Sequence, residues 1–66
     1  MQIRLNGSAR ECPAGISVAD FVRSLGLEPD QVAEERNDAL VPRARRAEVR
    51  LEEGDRVELV TLVGGG

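Results

Sequence analysis

Apolar and polar side chains alternate strictly over residues 1–5, which is the period of a strand with one buried face. Asn6-Gly7 follows and favours a tight hairpin turn, because a type I′ turn needs a positive φ at both central positions. The return strand is predicted at residues 8–12, where Cys12 shares the core-facing side of Met1. The expected register pairs Leu5 with Ser8, Ile3 with Arg10 and Met1 with Cys12.

A single amphipathic helix is predicted after the hairpin. Ser17 is its expected N-cap, and Asp20 takes the place that glutamate has in a capping box. Gly26 lies where a left-handed C-terminal cap belongs, and Pro29 follows it, so we expect a short helix that ends there. Four apolar residues at helical spacing form one stripe: Val18, Phe21, Val22 and Leu25.

The middle of the chain has a weaker pattern. Residues 32–36 are compatible with a strand or with a second helical turn. Beyond them we expect a turn at 37–38, a brief strand at 39–41, a polar connection at 43–47, a short strand at 48–52 and a turn at 53–55.

Residues 57–63 are the most strand-like segment, and their apolar side chains on both faces are typical of a central strand. The economical arrangement around such a strand is an α+β fold, a mixed sheet with one main helix packed on one face. We therefore expect a single domain over residues 1–63 and a flexible glycine tail over residues 64–66. The expected core consists of Ile3, Leu5, Val18, Phe21, Val22, Leu25, Leu40, Leu51, Val57 and Leu59.

Composition narrows the function classes. The 66 residues include nine basic and twelve acidic side chains, a formal net charge of −3, one cysteine and no histidine. A domain of this size buries only about 60% of the surface that its unfolded chain exposes, so we do not expect an enzyme with a deep cleft. The acidic balance argues against nucleic-acid binding, and no apolar run approaches the ~20 residues of a membrane span. A lone cysteine forms no internal disulfide, which favours a reducing cytoplasm. It also makes a poor metal site.

Gly64, Gly65 and Gly66 close the sequence and admit two interpretations. One is the simple fraying of an exposed terminus. The other is a thread without side chains that reaches about 10 Å beyond the fold. Such a thread can deliver its terminal carboxylate into an active site too narrow for side chains.

Four motifs, in this order, carry a resemblance to a known family: Glu35-Arg36-Asn37, Val41-Pro42-Arg43, Gly54-Asp55-Arg56-Val57-Glu58 and Val63-Gly64-Gly65-Gly66. With the hairpin and the single helix, they resemble the ThiS family, the sulfur carriers of thiamin biosynthesis, over essentially the whole chain. The resemblance implies a ubiquitin-like β-grasp fold whose first and last strands pair in parallel. Two residues depart from the family pattern, since Glu34 stands where an apolar strand residue is usual and Arg46 where an aromatic residue is common.

The resemblance also implies that Gly66 carries the sulfur. A ThiF-like adenylating enzyme would use ATP to activate the Gly66 carboxylate. A persulfide from a donor such as a cysteine desulfurase system would then convert it to a thiocarboxylate, and a ThiG-like thiazole synthase would take the sulfur. The carrier itself would bind no cofactor and would supply no acid, base or metal.

Two other function classes stay open. A closely related carrier would serve the synthesis of molybdopterin, cysteine or a natural product, or would act as a ubiquitin-like protein modifier. The chain has no lysine, so as a modifier it would not build lysine-linked chains of itself. The other class is a β-grasp interaction module in which the glycine tail is incidental.

Partner binding is expected at the end of the last strand and in the tail. The expected contact residues are Val60, Leu62, Val63, Gly64 and Gly65, although Val60 and Leu62 are equally compatible with the core.

Three further features have alternative interpretations. Cys12 could be a sulfur shuttle, but no basic neighbour is readable that would lower its pKa, and this favours a small buried core residue. The cluster of Arg43, Arg45 and Arg46 is either a solvated connection or a docking patch for an acidic surface. The acidic segment Glu52-Glu53-Gly54-Asp55 is interpreted as a solvated turn.

Overall fold

The computed structural model describes residues 1–62, so Val63 and the expected glycine tail lie outside the described residues. Its elements are β1 (Gln2–Leu5), β2 (Ser8–Glu11), α1 (Val18–Ser24), β3 (Val32–Arg36), β4 (Ala39–Leu40) and β5 (Arg56–Thr61). Two short 3-10 turns, Pro29–Gln31 and Arg43–Arg45, precede β3 and follow β4. The ambiguous segment at residues 32–36 is therefore a strand.

The last strand, β5, is the centre of a five-stranded sheet with the order β2-β1-β5-β3-β4. β1 runs parallel to β5, and the other neighbouring pairs are antiparallel. The helix packs on one face of this sheet, and its Phe21 belongs to the same buried cluster as Ile3 of β1 and Val57 of β5. The predicted α+β class, the central last strand and the parallel pairing of the first and last strands are all confirmed.

The β1–β2 hairpin has the turn that its sequence predicts. Asn6 and Gly7 have φ angles of 49° and 86°, as a turn with two left-handed residues requires. Beyond the strands, the Cys12 N–H donates to the Met1 carbonyl over 2.9 Å, so these two residues also pair as expected. The observed register includes the predicted pairs Leu5–Ser8 and Ile3–Arg10.

The helix begins and ends where its sequence signals lie. The Ser17 Oγ accepts the Asp20 N–H over 3.0 Å, which satisfies one of the free donors of the first turn. At the other end, Gly26 has a φ of 81° and its N–H donates to the Arg23 carbonyl. The helix is only seven residues long, so its packing against the sheet, rather than its own propensity, stabilises it.

The core matches the expected set apart from one residue. Leu40 is exposed over 65% of its surface, which contradicts its predicted place in the core. Strand alternation explains the difference, since it is the next residue, Val41, that turns inward and is buried. The buried apolar residues are Ile3, Val18, Ala19, Phe21, Val22, Val32, Val41, Leu51 and Val57. Half-buried neighbours at the edge of this core include Leu5, Leu25 and Leu59.

The predicted strand at residues 48–52 is wrong. That segment forms only an isolated bridge, Ser17 to Arg50, and two of its backbone hydrogen bonds reach the start of the helix. The Leu51 N–H donates to the Ile16 carbonyl, and Val49 accepts from the Val18 N–H. Leu51 is nevertheless buried in the core, which explains why residues 48–52 show an alternation of apolar and polar side chains. Within residues 1–62, no helix is long and apolar enough to cross a membrane.

Candidate functional site

The end of β5 is the point from which the sequence continues into its glycine tail. Thr61 is the last residue of the strand and lies opposite Val32. The Leu62 N–H then donates to the Gln31 carbonyl over 2.8 Å, which fixes the direction in which the chain leaves the sheet. Four residues follow Leu62, and fully extended they span about 13 Å.

A shallow cleft of about 490 Å³ lies beside this exit. On its rim the Arg43 guanidinium lies 3.4 Å from the Asp30 carboxylate, and its Nη2 donates to the Asp30 carbonyl. Both side chains are largely exposed, so this ion pair contributes little to stability. The residues lining the cleft are Leu27, Asp30, Gln31, Val32, Arg43, Thr61 and Leu62.

The sheet face opposite the helix is open and carries cross-strand pairs of like charge. Arg4 of β1 lies directly opposite Arg56 of β5, and Glu35 of β3 lies directly opposite Glu58 of β5. All four residues are exposed. The same face continues towards the end of β5 with the pair Ala33–Val60.

The two apolar partner-binding candidates within the described residues are exposed rather than buried. Val60 is 61% exposed and Leu62 is 49% exposed, so the interpretation of these side chains as core is wrong. They lie at the end of β5, beside the exit of the chain. The remaining predicted contact residues, Val63, Gly64 and Gly65, and the predicted sulfur-carrying Gly66 lie outside the described residues.

Cys12 is half-buried at the edge of the core, in agreement with a packing role. Burial raises the pKa of its thiol; the N-terminal ammonium lowers it, and Glu11 and Glu53 raise it further. The thiol is therefore protonated at neutral pH and is a weak nucleophile.

The arginine cluster is divided by the fold, which contradicts its interpretation as one solvated connection or one docking patch. Arg43 and Arg45 are exposed and form ion pairs with Asp30 and Glu48. Arg46, in contrast, is 6% exposed and points into the protein.

Arg46 is buried against Glu34, and the sequence analysis did not anticipate this contact. The Arg46 Nε lies 3.5 Å from the Glu34 Oε1 and donates to the Val41 carbonyl. The Arg46 Nη1 donates to the Pro29 carbonyl. Glu34 is 1% exposed and its carboxylate oxygens accept no hydrogen bond. Burial raises the pKa of Glu34 to about 7, although Arg46 lowers it. The two residues that depart from the family pattern thus form an ion pair with each other. The only sequence signal for this contact was that both positions depart from the pattern together.

Asp55 is also buried, which corrects the interpretation of residues 52–55 as a wholly solvated turn. Its carboxylate accepts from the Arg36 Nε over 2.7 Å, from the Glu52 N–H over 2.8 Å and from the Asn37 Nδ2 over 3.2 Å. Burial raises the pKa of Asp55, but these hydrogen bonds outweigh it and the pKa is lowered. The network connects the β3–β4 turn to the segment before β5, so its role is structural.

Among residues 1–62, no group of three histidine, cysteine, aspartate or glutamate side chains is placed to hold a metal ion. The candidate site consists of the exit of β5, the exposed apolar residues Val60 and Leu62 beside it and the glycine sequence that follows.

A five-stranded mixed sheet crossed by one helix, with its first and last strands parallel, defines the β-grasp class. A crystal structure of the thiamine biosynthesis protein (ThiS) from Geobacter metallireducens has this fold, with a TM-score of 0.86 and 23% identity over 100% of both chains. The ThiS family model matches residues 3–66. The chain belongs to the ThiS family.

Curated relatives are of two lengths. The sulfur carrier protein ThiS of Escherichia coli K12 is 32% identical over 66 residues, which cover 100% of both chains. The thiazole synthase of Magnetococcus marinus is 41% identical over all 66 residues, which make up 20% of that protein. A second thiazole synthase, from Paramagnetospirillum magneticum, is 36% identical over the same share. The chain thus spans about a fifth of the length of these two synthases.

Proposed function

We propose that this protein is a sulfur carrier in which the Gly66 carboxylate is adenylated, converted to a thiocarboxylate and used as the sulfur source for thiazole formation in thiamin biosynthesis. The observation that carries the proposal is the family match, which runs through residue 66 and so includes the glycine tail. The position of β5 supports it, because the glycine sequence begins three residues after the end of this central strand.

The chemistry requires activation because a carboxylate is a poor electrophile. Attack of the Gly66 carboxylate on the α-phosphate of ATP forms an acyl-adenylate and releases pyrophosphate. A persulfide sulfur then displaces AMP and forms an acyl disulfide. A thiol cleaves the S–S bond of this intermediate, and the thiocarboxylate remains on Gly66. Three residues without Cβ atoms allow this carboxylate to enter a narrow active site.

The catalytic groups for these steps belong to the partners in this proposal. The chain has no histidine, and its one cysteine is half-buried with a raised pKa. An adenylating enzyme of the ThiF type would bind the ATP, and a cysteine desulfurase system would supply the persulfide. The carrier contributes a folded domain that the partners bind and a reactive carboxylate, and it acts as a co-substrate rather than as an enzyme.

A thiazole synthase is the proposed acceptor of the sulfur. The support comes from the two relatives named thiazole synthase, each of which contains a segment similar to all 66 residues of this chain. A carrier and its acceptor that occur in one polypeptide hold each other at a high effective concentration. We infer that this chain meets the same kind of enzyme as a partner.

Intact mass spectrometry of the protein from its native cells tests the proposal. We expect a fraction of the protein with one oxygen replaced by sulfur, located at Gly66 by fragmentation. As a control, a short tag appended after Gly66 should abolish ATP–pyrophosphate exchange with the cognate adenylating enzyme. Undiminished exchange by the tagged chain would overturn the role of the Gly66 carboxylate. Incorporation of the sulfur into a product other than a thiazole would assign the chain to a sister pathway.

A further inference from the structure

The open sheet face carries an arrangement that costs stability. Glu35 and Glu58 lie directly opposite each other on β3 and β5, and Arg4 and Arg56 do so on β1 and β5. Like charges placed directly opposite on neighbouring strands destabilise a sheet. The fold therefore keeps two unfavourable pairs side by side on its solvent-facing surface.

The basic pair is partly compensated within the protein, and the acidic pair is not. The Arg56 Nη2 lies 2.9 Å from the Asp38 Oδ2, so one of the two arginines has a counter-charge. Among the described residues, no arginine or ammonium nitrogen lies within ion-pair distance of Glu35 or Glu58. The neighbouring Arg36 points to the other face of the sheet and binds Asp55 and Glu52. Neither glutamate of the acidic pair therefore has a direct ion-pair partner among the described residues, whereas one of the two arginines does.

Exposed apolar side chains flank the acidic pair. Leu40 lies beside Glu35 on β4 and is 65% exposed. Val60 lies two residues beyond Glu58 on β5, on the same face, and is 61% exposed. We call this surface the acidic–apolar patch, formed by Ala33, Glu35, Leu40, Glu58 and Val60.

We propose that the acidic–apolar patch is a docking surface for a protein partner that places an arginine side chain, surrounded by apolar groups, over Glu35 and Glu58. A guanidinium is planar and presents several donors, so it can bridge two carboxylates that a compact ammonium would serve less well. Leu40 and Val60 would exclude water around this contact, which strengthens it. The proposal rests on the proposed function in one respect, that the partner used to test it is the adenylating enzyme.

A second copy of this chain does not fit the patch as well. Strands of two to six residues, spaced about 4.8 Å apart, give the face a projected area of roughly 300 Å². A stable interface needs about 800 Å² from each partner. The face is therefore suited to a partner that also contacts surface beyond the sheet and that releases the carrier after reaction.

The test compares two double variants with the same change in charge. Glu35→Gln/Glu58→Gln removes the acidic pair, and Glu28→Gln/Glu48→Gln removes two exposed carboxylates that lie off the open face. Binding to the cognate adenylating enzyme is measured by calorimetry without ATP, at low and at physiological salt. Thermal melting of each variant is measured in parallel.

We expect the patch variant to bind about tenfold more weakly than the unmodified chain, and the control variant to bind within about twofold of it. The patch variant should melt at the same or a higher temperature, because it no longer holds two like charges face to face. Weaker binding with undiminished stability is a result that a merely structural role would not give. Unchanged binding, or an equal loss in both double variants, would overturn the proposal.

Two further readouts separate the proposal from its alternatives. ATP–pyrophosphate exchange is measured on the same samples: if the unmodified chain binds but does not exchange, the proposed function fails and the affinities still decide the patch. If exchange is normal and the patch variant binds like the unmodified chain, only the patch proposal fails. If the unmodified chain does not bind the adenylating enzyme at all, the patch proposal is also overturned. Sedimentation of the free protein tests self-docking, since a dimer that the patch variant abolishes would assign the face to a second copy and overturn the proposal.

Discussion

The side chain of Asn6 pairs with the backbone of Leu59 as a neighbouring strand residue would. Its Oδ1 accepts the Leu59 N–H over 2.9 Å, and its Nδ2 donates to the Leu59 carbonyl over 3.4 Å. On the opposite edge of β5, the Asn37 N–H donates to the Arg56 carbonyl, and the Asn37 Oδ1 accepts the Arg56 N–H. Both asparagines have positive φ angles, so each turn also satisfies backbone groups of the central strand.

Asn6→Ala should destabilise the protein by about 1–3 kcal/mol, because it removes both side-chain hydrogen bonds and places a residue poorly suited to positive φ in the turn. Asn6→Gly is the matched control, since glycine adopts this φ freely but also lacks the side chain that bonds Leu59. Urea unfolding of both variants separates the two effects. A glycine variant as stable as the unmodified chain would show that the bonds to Leu59 contribute nothing.

Glu34 should make the protein less stable as the pH rises. Its pKa is 4.5 as a free carboxyl and about 7 when buried, so the folded state retains a proton that the unfolded state loses. The contribution of Glu34 to the free energy of unfolding is therefore largest below pH 4.5, falls up to about pH 7 and is lost above it. The urea midpoints of the unmodified chain and of Glu34→Gln should be similar below pH 4.5, where both side chains are neutral, and the unmodified chain should fall progressively below the variant up to about pH 7. A difference that does not change with pH would contradict the assignment.

Arg46→Met provides a second check on the same pair. Arg46 lowers the pKa of Glu34, so its removal should raise that pKa further, and the pH-dependent loss of stability should become larger and extend to higher pH. It also leaves the carbonyls of Val41 and Pro29 without their donor, which adds a destabilisation that does not depend on pH. A variant with the same pH profile as the unmodified chain would show that Arg46 and Glu34 do not interact.

Asp55 should have the opposite pH dependence. Its pKa is lowered from 3.8, so its stabilising contribution is present above this value and is lost as the pH falls through the lowered pKa. Asp55→Asn should cost about 1–3 kcal/mol at neutral pH, because the bond to Arg36 loses its charge. The difference between the two proteins should shrink in acid, as measured by urea unfolding. A penalty that stays constant with pH would argue for a steric cause instead.

Cys12→Ser should retain sulfur loading of the chain while slightly lowering its denaturation midpoint. The thiol is half-buried and its pKa is raised, so the proposed mechanism does not use it. A hydroxyl is less favourable than a thiol in this partly apolar position. Thiocarboxylate yield by mass spectrometry decides the matter, and loss of yield in a folded variant would give Cys12 a chemical role.

Gly65→Val should separate folding from function. Gly65 comes four residues after Thr61, the last residue of β5, so we expect the melting temperature to be nearly unchanged. A β-branched side chain next to Gly66 restricts the backbone and adds bulk to the thread, so adenylation should be severely reduced. Thiocarboxylate yield and a melting curve are the two measurements. Normal yield would refute the narrow active site, whereas a large fall in melting temperature would show that this residue belongs to the fold.

Local signals predicted the elements of this fold well. Asn6-Gly7 and Gly26 have the positive φ angles that their residue types suggest, and Ser17 caps the helix. The sequence pattern failed where tertiary contacts decide. Leu51 is buried although its segment is not a strand, since it pairs with the chain entering the helix rather than with the sheet.

The site was predictable only in its sequence features. A closing run of glycines can be read directly, but the exposure of Val60 cannot, because its place in the sequence fits the core and the surface equally well. The pairing of Glu35 with Glu58 depends on the register of β3 against β5, which joins residues 23 positions apart and has no local signal. The contact between Glu34 and Arg46 was hidden for the same reason, because each residue alone looks like a charge that should face water.

β5 is synthesised after both hairpins, so the sheet is completed by the strand that leads into the glycine tail. β5 alone joins the β1–β2 hairpin to the β3–β4 hairpin, because neither hairpin pairs with the other within the described residues. While the ribosome is still making residues 56–61, the two hairpins therefore have no shared neighbour. The strand that completes the sheet is also the one that leads to the glycine tail. An enzyme that recognises the sheet as well as the tail would therefore act on chains that have completed the fold and leave misfolded copies unmodified.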